Sequence, residues 1–131
     1  MKKLLPIIII LFIYTCGKNS TGVVEDQIEY IAEHKMFIEH LLELNSELNA
    51  DTLEARITKI LVIIDGTEYY RITEASFNNL GLEYLPESIS YLDSLITLDI
   101  SNNQLVNLPE TICSLDIIDG DNFLFNDNHL C

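Results

Sequence analysis

Two histidines are the residues of this chain whose type and spacing come closest to a metal site. His34 and His40 lie six residues apart, with Glu39 beside the second. Six helical residues turn through about 600°, so the two imidazoles point in different directions, whereas helices that bind zinc place their ligands three or four residues apart. The spacing therefore argues against a bound metal ion, and we expect no cofactor.

The acidic residues near the C-terminus do not have the spacing of a calcium site. They lack the alternate ligands and closing glutamate of an EF-hand loop, so solvated turn residues are the better interpretation of Asp116, Asp119, Asp121 and Asp127. The chain also contains no GxSxG, HExxH or phosphate-loop motif. A hydrolase needs a nucleophile and a base within reach of each other. The sequence therefore predicts that the protein is not an enzyme and that its function lies on a surface.

The charge of the chain narrows the choice of partner for such a surface. Seven Lys and Arg against 21 Asp and Glu give a net charge of -14. A field of this sign repels phosphate groups, which argues against nucleic acid and anionic lipid headgroups as partners. Two explanations of the charge stay open: solubility alone, or a basic protein or peptide ligand.

An internal repeat supplies the elements that would carry the surface. Residues 72–92 align with residues 95–115 at a period of 23, and apolar residues and a proline coincide. The matched pairs are Leu82 with Leu105, Leu85 with Leu108, Pro86 with Pro109, Ile89 with Ile112, and Leu92 with Leu115. A unit this short cannot bury its apolar side alone, so successive copies must stack.

The second copy reads LxxLxLxxNxLxxLPxxIxxL, which resembles the leucine-rich repeat family, and its LPETI segment, like LPESI before it, resembles the bacterial and plant-related variety. The resemblance implies an α/β fold: a short solenoid of about two and a half rungs over residues 72–131, with parallel strands and loop or 3₁₀ returns. Leu95, Leu98, Ile100 and Leu105 would point inward. Asn103 would satisfy backbone groups where the chain leaves the strand.

The positions between the inward leucines should form the concave, ligand-binding face of the sheet. The predicted protein-binding residues are Glu74, Ser76, Asn78, Thr97, Asp99, Ser101, Asn102 and Asn126. This face is small, polar and acidic, and it lacks the aromatic and arginine anchors of strong interfaces. It suits an extended peptide or a basic patch on another protein.

Residues 25–71 are predicted to form an N-terminal cap. Apolar residues recur at helical intervals from Glu25 to Leu48, which indicates an amphipathic helix. Asp51 with Glu54 could open a second short helix. The Asp65–Gly66 dipeptide within a β-branched stretch favours a two-residue hairpin turn. We expect this cap to shield the first rung of the solenoid.

Residues 1–15 have the composition of a secretory signal peptide, with two lysines followed by a short apolar run from Leu4 to Ile13. The segment before Cys16 resembles the signal of bacterial lipoproteins, with Ile13, Tyr14 and Thr15 at its end. The resemblance implies export, lipidation of Cys16 and anchorage in the cell envelope. Ordinary signal cleavage nearby and an uncleaved anchor are the alternatives. Residues 16–24 would then be a lipidated cysteine and a flexible tether.

The C-terminal end contains a third, partial copy. Aligning Asn128 with Asn103 gives a spacing of 25 and puts Phe123 and Phe125 at inward positions. No C-terminal cap follows, so either the open edge pairs with another molecule or the natural protein is longer. Similar bacterial proteins imply a disulfide between Cys113 and Cys131, with buried free thiols as the alternative.

Overall fold

The computed structural model describes residues 28–130, which form a mixed α/β structure around a five-stranded sheet. The strands are β1 (Glu29–Tyr30), β2 (Ile57–Ile64), β3 (Thr67–Ser76), β4 (Thr97–Asp99) and β5 (Phe123–Leu124). The helices are α1 (Ala32–Leu44), α2 (Ala50–Glu54) and three 3₁₀ helices, Glu87–Tyr91, Glu110–Ser114 and Asp116–Asp119. The predictions for the signal peptide, Cys16, the tether and Cys131 lie outside the described residues.

Strands β2 and β3 form an antiparallel hairpin with its turn at Asp65 and Gly66. Both turn residues have positive φ, +50° and +83°, which is the conformation that a two-residue turn between right-twisted strands requires. The hairpin predicted from this dipeptide is therefore confirmed. A register shift opposite Thr58 and Lys59 gives β3 one extra residue, Thr73, just before the residues that pair with β4.

Strands β3, β4 and β5 run parallel, and their register places residues with the same role side by side. Ala75 pairs with Leu98, and Leu98 pairs with Phe123. These are the residues that the sequence alignment matches at spacings of 23 and 25. The first and second 3₁₀ helices follow a proline each, and the Thr111 hydroxyl donates to the carbonyl of Glu87 at 2.7 Å, which ties one return to the next.

The core lies between the sheet and the 3₁₀ helices, and it contains the apolar residues that the alignment selects. Leu82, Leu85, Ile89, Leu92, Leu95, Leu98, Ile100 and Leu105 are all buried. Helix α1 closes the core at its N-terminal side with Phe37 and Leu41, and the Phe37 ring stacks on Phe77 at 6.4 Å between centroids.

Several element boundaries and positions differ from the predictions. The first helix begins at Ala32 because the residues before it form β1, which pairs with β3. The cap of α2 is Asn49, whose side chain accepts the Thr52 backbone N–H, and not Asp51. Phe125, expected to point inward, is 45% exposed because nothing among the described residues covers it.

Candidate functional site: the polar face of the parallel strands

Exposed and half-buried side chains of three adjacent strands meet on one side of the sheet. Glu74 lies beside Thr97, and Ser76 lies beside Asp99, which in turn lies beside Leu124. We call Glu74, Ser76, Thr97, Asp99 and Leu124 the strand face. Since their neighbours Ala75 and Leu98 are fully buried, the alternation predicted from the sequence is present here.

The carboxylate of Asp99 on the strand face is held by three hydrogen bonds from neighbouring residues. Its Oδ1 accepts hydrogen bonds from the hydroxyl of Ser101 at 2.6 Å and from the Ser101 backbone N–H at 3.0 Å, and its Oδ2 accepts from Asn78 at 2.8 Å. Partial burial alone would raise the pKa of Asp99, but these hydrogen bonds outweigh it and lower the pKa below its usual value. The face therefore presents a fixed negative charge at neutral pH.

Ser101, one of the predicted binding residues, is buried, which leaves little of it for direct contact with a ligand. Only 6% of the residue is exposed, because its hydroxyl turns inward to Asp99. Asn102 is exposed but has a left-handed backbone, with φ +54°, a conformation that asparagine tolerates better than most residues. Asn126 is exposed beyond β5. Of these predicted residues, Ser101 supports the site and does not form its surface.

Arg56 borders the strand face and was not found by sequence analysis. Its Nη1 donates to the backbone carbonyls of Ser76 at 3.0 Å and Asn78 at 3.3 Å. Arg56 is 20 residues from Ser76 in the chain, and only the hairpin brings the two together. The site is thus an acidic strip with one cation at its edge.

Buried asparagines support the strand ends below this face. Asn103 donates from Nδ2 to the carbonyls of Phe77 and Ile100, both at 2.9 Å, and its Oδ1 accepts the backbone N–H groups of Leu80 at 3.0 Å and Leu82 at 2.9 Å. The predicted role of Asn103 is therefore confirmed.

Two further asparagines act in the same way. Asn128 donates to the carbonyls of Ile100 and Phe125 and accepts the N–H of Leu105. Asn45, at the C-terminus of α1, binds both the carbonyl and the N–H of Tyr84, a role that was not predicted.

His34 joins helix α1 to strand β3. It is fully buried, and its Nδ1 accepts the backbone N–H of Ile72 at 2.9 Å. Ile72 lies on the edge of β3 between the residues that pair with β1 and those that pair with β4. The proton of the neutral ring must then be on Nε2, which lies 3.3 Å from Asp93 Oδ1. Burial lowers the pKa of His34 below its ordinary value, although Asp93 opposes this shift.

The neutral state of His34 predicts a dependence of stability on pH. Because its folded pKa is below the ordinary 6.5, the unfolded chain binds a proton in a pH range where the folded chain does not. The stability due to this group is fully present above pH 6.5 and is lost as the pH falls below it. In a His34→Gln variant, the new side chain offers an acceptor and a donor but does not titrate. The unfolding free energy of this variant should therefore fall less steeply than that of the wild type as the pH is lowered.

Urea unfolding at successive pH values measures this slope. Met36→Gln, at a 40% exposed position of the same helix, is the matched control and should keep the slope of the wild type. Equal slopes in the wild type and the His34→Gln variant would contradict the assignment of a buried neutral imidazole.

The other residues considered for metal binding or pairing lie apart from the strand face. His40 binds Ser88 at 2.9 Å while His34 binds Ile72, so the two histidines serve separate contacts. Residues 28–130 contain no group of three His, Cys, Asp or Glu side chains arranged for a metal ion, and no helix long and apolar enough to cross a bilayer. Cys113 is exposed, so it is not a buried thiol.

Comparison of the chain with protein-family models, curated proteins and solved structures found no match.

Proposed function

We propose that this chain is a leucine-rich repeat lipoprotein of a bacterial cell envelope, anchored through Cys16, that binds an extended basic peptide or a basic protein patch on its strand face. The observation that carries the proposal is the register that aligns Glu74 with Thr97 and Ser76 with Asp99 on the exposed side of parallel strands. No catalytic role is part of the proposal.

The solenoid arrangement in this proposal is supported by the spacing of equivalent contacts. Three non-glycine residues with positive φ, Asn79, Asn102 and Asp127, follow one another at intervals of 23 and 25 residues. Backbone hydrogen bonds from Phe77 to Asp99 and from Ile100 to Leu124 connect neighbouring strands. These contacts are what stacked rungs with a repeating turn would make.

Electrostatics favour a basic ligand for the strand face. The carboxylate of Asp99 is held in place by hydrogen bonds from the chain itself, so a ligand need not order it. Glu74 is exposed on the neighbouring strand, and the whole chain carries a charge of -14. Because the face offers no aromatic anchor, we expect modest affinity that weakens with added salt.

A charge reversal on the strand face tests this function. Glu74→Arg should reduce the amount of partner recovered from envelope extracts by about tenfold, since like charges would then face each other. Glu110→Arg makes the same change at an exposed position on the second 3₁₀ helix, away from the strand face, and should recover the partner like the wild type. Equal recovery by both variants would contradict binding at the strand face. Mass spectrometry of the mature N-terminus tests lipidation of Cys16 separately.

A second candidate function is structural, in which the chain assembles with other copies through the edge of β5 and has no ligand of its own. Apolar side chains at that end favour it: Leu124 is 43% exposed, Phe125 45% and Val106 46%. Exposed apolar groups beside a strand edge are a common basis for association. This candidate predicts that Phe125→Lys abolishes association, whereas Glu74→Arg does not change it.

A further inference from the structure

The free edge of β2 lies on the far side of the hairpin from the strand face, and it is unusually apolar. Exposed fractions are 48% for Ile60, 47% for Leu61, 69% for Ile63 and 39% for Ile64. Among the described residues β2 pairs only with β3, so its other edge has no strand beside it. Lys59 is the only charged residue from Ile57 to Ile64, and there is no proline to block pairing.

The backbone of β2 leaves one set of hydrogen-bonding groups directed outward. Ser76 N–H donates to the carbonyl of Arg56, and Ile64 pairs with Thr67 at the turn, so the even-numbered residues of β2 bond to β3. The odd-numbered residues, among them Lys59, Leu61 and Ile63, then direct their N–H and C=O groups to the free edge. Another strand can bind these groups.

We propose that the partner of this edge is β2 of a second copy, in an antiparallel pair centred on Val62. This register places Leu61 opposite Ile63 of the other copy as a hydrogen-bonded pair and Ile60 opposite Ile64, so the exposed apolar side chains cover one another. The proposal is independent of the proposed ligand-binding function.

The charged residues of the hairpin favour the register centred on Val62 and a second copy as the partner. Only the pair centred on Val62 places Lys59 opposite Asp65 of the second copy; centring on Leu61 or Ile63 leaves each of these two charges opposite an uncharged residue. The ammonium of Lys59 contacts Glu54 and lies over the rings of Tyr30 and Tyr70, so its side chain must rotate toward the free edge to bind Asp65 of the second copy. The hairpin is nearly neutral, because two basic residues, Lys59 and Arg71, offset three acidic ones, Asp65, Glu68 and Glu74. Two copies can therefore meet here without the repulsion that the net charge of -14 creates elsewhere.

Cysteine cross-linking of the full chain in a non-ionic detergent tests the register. Every variant carries serine in place of Cys16, Cys113 and Cys131. In the Val62→Cys variant, position 62 of one copy lies opposite position 62 of the other, with about 4.5 Å between the two Cα atoms. Oxidation should therefore convert most of this variant to a covalent dimer. Ile60→Cys is the matched control, since its copies would be about 14 Å apart and too distant to bridge. Equal cross-linking of the two variants would overturn the proposal.

Sedimentation equilibrium of the same full chain tests association itself. Ile63→Lys should weaken dimerisation at least tenfold, whereas Ile96→Lys, at a 56% exposed position outside the hairpin, should not change it. A wild type that is monomeric at all concentrations, as expected if another protein or the N-terminal segment of the same chain covers β2, would overturn the proposal. A dimer that Ile96→Lys disrupts and Ile63→Lys does not would also overturn it.

Discussion

Replacing Asn103 with alanine is expected to lower the free energy of unfolding by about 4 kcal/mol, because one buried amide satisfies backbone groups of two neighbouring segments. The variant leaves the N–H groups of Leu80 and Leu82 and the carbonyl of Phe77 without this partner, whereas the carbonyl of Ile100 keeps Asn128. Each buried polar group left unpaired costs about 1–3 kcal/mol. The loss is large against the roughly 5–15 kcal/mol that stabilises a domain, and urea unfolding measures it.

Gln104→Ala is the control for Asn103→Ala. Gln104 is the next residue and is exposed, so its truncation should change the free energy of unfolding by less than about 0.5 kcal/mol. A loss below about 1 kcal/mol in Asn103→Ala would indicate that water replaces the amide, and that the strand ends do not depend on it.

The second large effect is expected from His34→Ala, with a loss of about 3 kcal/mol in the free energy of unfolding. The variant removes a fully buried ring and leaves the N–H of Ile72 without an acceptor, so a cavity cost and a hydrogen-bond cost add. The contact of Nε2 with Asp93 is lost as well, but Asp93 retains Arg71 at 2.7 Å. Thermal or urea unfolding at pH 7.5 measures the difference.

Lys35→Ala is the matched control for His34→Ala in the same turn of helix α1. Lys35 is half exposed and forms a surface ion pair with Glu29 at 3.5 Å, an interaction that contributes little in water. Its truncation should cost less than about 0.5 kcal/mol. A similar loss in both variants would contradict a specific role of His34 in joining α1 to β3.

Local pattern was sufficient to predict the features of this protein that depend on neighbouring residues. The Asp65–Gly66 turn follows from a dipeptide that accepts positive φ at both positions. The buried residues Leu98, Ile100 and Leu105 follow from a short-range apolar pattern, and the matching of Ala75 with Leu98 follows from the repeat period. Asn103 could be predicted because its place is an interruption in an otherwise apolar pattern.

Only the tertiary structure decided which polar groups meet. His34 binds Ile72 across 38 residues, Asn45 binds Tyr84 across 39, and Arg56 binds Ser76 across 20. The burial of Ser101 likewise depends on the orientation of the Asp99 carboxylate, which periodicity alone does not specify. Apolar burial is non-directional and can be predicted from side-chain type and period, whereas a hydrogen bond requires a particular donor and acceptor within about 3 Å, and that distance is set by the packing of the whole chain.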